Sequence, residues 1–110
     1  MPIVKRDIEI ATVFSAYPAG REDADGPYNG QRFQREILLG ELKSAVEEGG
    51  KVVVSLNGLM SCGSSFLEEA FGGLIRDRHL TREEVSSHLD VVYSSPRLKR
   101  FHDAIFRYIE

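Results

Sequence analysis

Two neighbouring serines, Ser64 and Ser65, stand between Gly63 and Phe66, where a β-branched run, Val52 to Val54, has given way to a small polar patch. Hydroxyls at such a place suit two kinds of chemistry. A serine at a helix start can cap it by accepting backbone N–H bonds, worth about 1 kcal/mol. The same free amides, with the helix dipole, can hold an anion. Phosphorylation of Ser64 would place about −1.5 to −2 charges there, favoured by the helix amides and opposed by Glu68 one turn on. A Walker-type phosphate loop is excluded, because its Gly-Lys-Ser or Gly-Lys-Thr signature is missing from the chain.

The other reactive side chains offer less. Cys62 is the lone cysteine, which rules out an internal disulfide and a paired-cysteine zinc site and favours a small packing residue. His79, His88 and His102 are too far apart in sequence to form a local ligand pair. Glu68 and Glu69 are adjacent, so on a helix they point about 100° apart and read as a solvated turn, not as paired catalytic carboxylates. Arg21 is a candidate anion clamp or partner contact in a solvated loop, although Asp23 and Asp25 beside it would oppose a phosphate.

These residues need a scaffold. Ile8, Ile10, Thr12 and Phe14 recur at every second position, predicting a half-buried strand over about residues 3–14. Residues 18–30 are rich in Pro, Gly and charge and predict a long loop, functional or mobile. Phe33, Ile37, Leu38, Leu42, Ala45 and Val46 fall at helical spacing, and Gly49-Gly50 closes that helix. Lys51 to Leu56 is short, Val-rich and nearly continuous, the pattern of a central strand covered on both faces. Residues 58–63 then form the turn at its carboxyl end, where open α/β sheets usually meet ligands.

Beyond the serines, Phe66, Leu67, Ala70, Phe71, Leu74 and Ile75 mark another helix, with Gly72-Gly73 permitting close packing. Thr81 and Glu84 form a capping box introducing a short helix with Val85 and Leu89 inward. Leu89 to Tyr93 predicts a strand. Ser95-Pro96 supplies a cap and first-turn proline for a terminal helix whose inward stripe is Leu98, Phe101, Ile105, Tyr108 and Ile109. The alternating order predicts an α/β fold: one mixed β-sheet with packed helices, in a single domain over residues 1–110.

With 110 residues, 42% of them hydrophobic and 28% charged, the chain matches one globular domain, and its net charge of −3 leaves no broad basic field for nucleic acid. Met1 to Asp7 lack the apolar core of a signal peptide, and no run approaches the roughly 20 apolar residues that span a bilayer. A cytoplasmic protein is therefore expected, without membrane contact.

The order Val52-Val53-Val54-Ser55-Leu56-Asn57-Gly58-Leu59, followed by Gly63-Ser64-Ser65-Phe66-Leu67, resembles the STAS fold of sulfate transporters and anti-sigma factor antagonists. There a buried strand leads through a turn to an Asp-Ser-Ser-Gly motif that opens a helix. Gly20-Arg21, Gly26-Pro27-Tyr28-Asn29-Gly30, Phe33 and the run Ser64 to Gly72 look more specifically like the bacterial STAS-like domain family of unknown function. The resemblance implies a small regulatory protein-binding module, not an enzyme, with no cofactor or metal. Its implied partner is a histidine-kinase-like ATP-binding protein or another regulatory protein, and its implied phosphoacceptor is Ser64.

Two departures alter the recognition surface: Gly63 replaces the motif's Asp, and Phe66 replaces its Gly. Candidate partner- or anion-binding residues are Asn57, Gly58, Gly63, Ser64, Ser65, Phe66, Glu68, Glu69 and Arg21. The alternative reading is a small-molecule or phosphate-ligand domain that uses the Gly63 to Ser65 amides, with Arg21 as counter-charge.

Overall fold

The computed structural model describes residues 4–110. Three strands, β1 (Lys5–Glu9), β2 (Lys51–Ser55) and β3 (Leu89–Val92), form a sheet in the order β1-β2-β3 with both pairings parallel. The predicted α/β fold, one sheet carrying helices with β2 at its centre, is present. Its described strands all run one way, so the sheet is parallel where a mixed one was expected. Parallel neighbours need long crossovers, and helices supply them here.

Register aligns Ile8 with Val54 and Val54 with Val91, while Val52 pairs Leu89, so one sheet face is a buried layer interrupted only at half-buried Arg6 on its β1 edge. Expected burial of β2 on both faces is corrected: Val52 and Val54 are buried, whereas Lys51, Val53 and Ser55 are only half-buried. Exposed Asp7 and Asp90 flank Val53 in register, which keeps that face partly open to water.

The expected strand over residues 3–14 is also corrected. β1 stops at Glu9, and Ile10–Val13 makes a single helical turn, α1, closed by the Phe14 N–H donating to the Ile10 carbonyl at 3.0 Å. Ile10 and Phe14 are four apart, a spacing that satisfies alternation and a helical turn equally. Packing decides for the helix, because it turns Phe14 into the aromatic cluster of the core. Residue 3 of that expectation lies outside the described residues.

The second helix, α2, is continuous over residues 30–48 and ends at Gly49 in the left-handed conformation, φ 76°. The third, α3, covers residues 64–76. Each contains one π turn, at Gln34–Leu38 and Glu68–Gly72 respectively. Arg82–His88 forms α4 behind the predicted capping box, with Glu84 N–H donating to Thr81 Oγ1 at 3.1 Å and Thr81 N–H to Glu84 Oε1 at 2.9 Å. Val85 faces inward, but Leu89 begins β3. A 3-10 turn at Pro96–Leu98 leads into α5 (Lys99–Ile109); Ser95 holds the cap position without a side-chain bond. The buried residues of all five helices join those of the sheet in one core.

Candidate functional site

At the carboxyl end of β2 the chain turns through Gly58, whose φ of 87° favours glycine and where a Cβ would meet that of Ala11 at 3.0 Å. Asn57 closes this turn against the segment after β3: its Oδ1 accepts from Ser94 N–H at 2.8 Å, and its Nδ2 donates to Ser94 Oγ at 3.3 Å. Asn57 thus ties two strand ends together.

Gly63, extended at φ −70°, is the N-cap of α3 and brings no side chain to that task. Ser64 and Ser65 occupy the first helical positions, so the capping role considered for them is corrected and their hydroxyls are not spent on it. Ser64 is exposed and Ser65 half-buried. Backbone bonds fasten the segment after α1 over this turn, with Met60 N–H donating to Ala16 O at 2.9 Å and Gly63 N–H to Pro18 O at 3.1 Å. The two segments so joined carry two large exposed side chains, Met60 at 61% and Tyr17 at 62%.

Phe66 is not a surface residue. It is 0% exposed and packs against Phe33 with ring centroids 5.6 Å apart, which corrects its place among the contact candidates. A helix whose third residue must fill the core can present only its first turn to a visitor.

Glu68 and Glu69 open the π turn and lie between two arginines. Arg21 and Arg76 both bond Glu68, Arg76 Nη2 donates to Glu69 Oε1 at 3.0 Å, and Arg21 stands 3.7 Å from that oxygen. Glu69 is only 7% exposed, so the expected solvated turn is corrected: a buried carboxylate requires its partners. Donating to the Glu68 carboxylate raises the Arg21 pKa further. Arg21 is therefore engaged inside the chain by Glu68 while remaining nearly half exposed.

The loop at residues 18–30 is an ordered strap. Gly30 N–H donates to Gly20 O and Gln31 N–H to Arg21 O, each at 2.9 Å, so this loop caps α2. Asp25 accepts from the backbone N–H groups of Arg21 and Glu22, which holds its pKa below the usual value. Buried Gln34, missed in the sequence, donates Nε2 to the Glu69 carbonyl at 2.9 Å inside the π turn. A polar residue on the apolar stripe of α2 was its only signal.

A second feature not visible in the sequence is a cleft of about 330 Å³ between the start of α3 and one face of α5. Ser61, Cys62 and Ser64 form one rim, Leu67, Phe101 and Ala104 the apolar lining, and Arg100, Arg107 and Tyr108 the other side.

Cys62 is half-buried at this rim, and burial pushes its thiol up to about 12 from an ordinary 9.0. Near neutral pH it carries no thiolate to attack with. Iodoacetamide is expected to leave Cys62 unmodified in the native protein and to alkylate it in denaturant; rapid native labelling by intact-mass measurement would refute its assignment as a packing residue. Because the unfolded thiol loses its proton first, this group leaves stability intact below pH about 9 and erodes it as pH rises from about 9 to about 12.

Among the described residues, no group of three or more His, Cys, Asp and Glu is placed to hold a metal ion, and no helix is long and apolar enough to cross a membrane.

A sheet backed by helices, whose central strand leads through a glycine turn to an exposed serine at a helix start, is consistent with a STAS-like domain. The chain belongs to the family described as STAS-like domain of unknown function (DUF4325), whose model matches residues 29–97, more than half of the 110 residues. No curated protein and no solved structure matches it.

Proposed function

We propose that this chain is a regulatory protein-binding module whose partner docks on the lip formed by Tyr17, Gly58, Met60 and Ser64, and that phosphorylation of Ser64 controls the docking. The observation that carries the reading is the position of Ser64: an exposed hydroxyl at the first position of α3, on a turn fastened by backbone bonds to the segment that carries exposed Tyr17 and itself carrying exposed Met60. Tyr and Met are enriched at protein interfaces, where they supply large contact area.

A partner with a histidine-kinase-like ATP-binding domain fits this lip by family analogy. The γ-phosphoryl of its ATP would pass to Ser64 Oγ, with ADP leaving and the hydroxyl proton released. Glu68, one turn along, would repel the new phosphate if it stood alone. Its charge is already met by Arg21 and Arg76, which weakens that opposition.

Immobilised wild type, Ser64→Ala and Ser64→Asp chains are to be used to capture the partner from host lysate, with phosphosite mapping of the native chain. Ser64→Asp is expected to change partner affinity roughly tenfold while the circular dichroism spectrum stays unchanged. Equal capture by all three would remove the switch. Undiminished capture by a Tyr17→Ser, Met60→Ser double variant would remove the lip.

A further inference from the structure

We propose that the cleft between α3 and α5 is a binding site for a small organic anion, a phosphate ester or carboxylate with a compact apolar body. This goes beyond the docking lip: the two share Ser64, but recognition in the cleft rests on Arg100, Arg107 and the apolar lining between them.

Arg100, Ala104 and Arg107 are spaced i, i+4, i+7 on α5 and therefore share one face of it. All three line the cleft. The one aspartate of that helix, Asp103, is taken by Lys99 at 2.7 Å and His102 at 3.0 Å. Neither Arg100 nor Arg107 has a carboxylate partner among the described residues; Arg6, Arg21, Arg32 and Arg76 do, and of the other unpaired arginines, Arg35, Arg78, Arg82 and Arg97, none lines this cleft. Arg100 instead lies over the Phe101 ring, 4.9 Å from its centroid.

Two uncompensated cations on the margin of one cleft, in a chain of net charge −3, select for negative charge. Between them the lining is Leu67, Phe101 and Ala104, which suits an apolar body. About 330 Å³ lies at the small end of ligand pockets and has room for a compact molecule. Arg21, considered from the sequence as the counter-charge, is held by Glu68. The cations available to an incoming anion therefore stand on α5, beyond the residues matched by the family model.

The test is a titration of the whole chain, followed by amide chemical shifts, with phenyl phosphate, benzoate, phenol and inorganic phosphate as probes. Phenyl phosphate or benzoate is expected to give saturable shifts at Ser64, Leu67 and Ala104, and which binds tighter distinguishes a phosphate ester from a carboxylate. Phenol and inorganic phosphate each lack half of the recognition and are expected to bind at least roughly tenfold more weakly.

Arg100→Gln and Arg107→Gln should each weaken the better probe roughly tenfold, with Arg97→Gln unchanged. Four outcomes overturn the site: no saturable shift with either organic anion, full binding by a folded double arginine variant, inorganic phosphate binding as tightly as phenyl phosphate, or a phosphoserine peptide displacing the probe at lower concentration, which would give the cleft to a protein partner. The Ser64 comparison is read in partner affinity and stands or falls separately.

Discussion

Phe66→Ala is expected to lower the unfolding free energy by about 3–5 kcal/mol, the largest effect of any substitution considered. Its ring is fully buried and lies within 5.6 Å of Phe33 and 6.0 Å of Phe14, centroid to centroid, while Phe33 in turn meets Phe71 at 6.3 Å. This cluster joins the turn after β1, the start of α2 and both ends of the first stretch of α3, so truncating its shared member leaves a cavity that no single helix can collapse into. A domain of ordinary stability has only about 5–15 kcal/mol in total. The midpoint of thermal unfolding should accordingly fall by more than roughly 10 °C, and Phe66→Leu should fall by less. Urea unfolding measures both. A loss for Phe66→Ala within about 1 kcal/mol, the range of ordinary surface changes, would mean that the aromatic cluster does not hold the serine-bearing helix in place.

The same residue shows where the sequence was legible and where it was not. Strong local signals survived: the Val-rich run became β2, the stripe from Phe33 to Val46 became α2, and the Thr81 and Glu84 pair capped α4 as their spacing required. Ser64 was placed correctly at a helix start because a buried strand, a glycine turn and an apolar helical stripe bracket it. Signals that depend on a neighbour were ambiguous. Ile10 and Phe14 fit two periods at once, and only contact with Phe33 decides between them.

Glu68 and Glu69 are adjacent on one helix, and what joins them is not local: Arg21 and Arg76 each stand close to both carboxylates, and nothing in Glu68 to Gly72 announces that pairing. Arg21 reaches Glu68 across 47 positions of chain, and Arg100 meets the rim of Ser64 only because α5 docks on α3. Pairings of that range are decided by packing, which a linear pattern does not contain.

Packing of α2 on α3 yields the second large effect, at Gly30. Gly30 opens α2, immediately after Asn29, whose buried side chain accepts from Arg32 N–H at 3.0 Å and donates to Asp23 Oδ1 at 2.9 Å and the Gly26 carbonyl at 2.8 Å. Those three bonds leave the helix start little freedom to retreat. A Cβ at position 30 would lie 2.7 Å from the Cβ of Glu69, 2.8 Å from the carbonyl oxygen of Phe66 and 3.1 Å from the amide nitrogen of Ala70. Two of those atoms are backbone, so the conflict cannot be relieved by rotating a side chain.

Gly30→Ala is therefore expected to destabilise by about 1–3 kcal/mol or somewhat more, as overpacked sites do, and to push apart the π turn that brings Glu69 to Arg76. Gly40→Ala is the internal control. It lies in the same helix, is exposed, and a Cβ there meets nothing within 4 Å; added helix propensity should stabilise by up to about 1 kcal/mol. The two substitutions remove the same glycine flexibility from the unfolded chain, so their difference isolates contact with α3. Opposite signs in denaturant unfolding are expected, and Gly30→Ala matching Gly40→Ala would mean that α2 and α3 do not approach each other at the π turn.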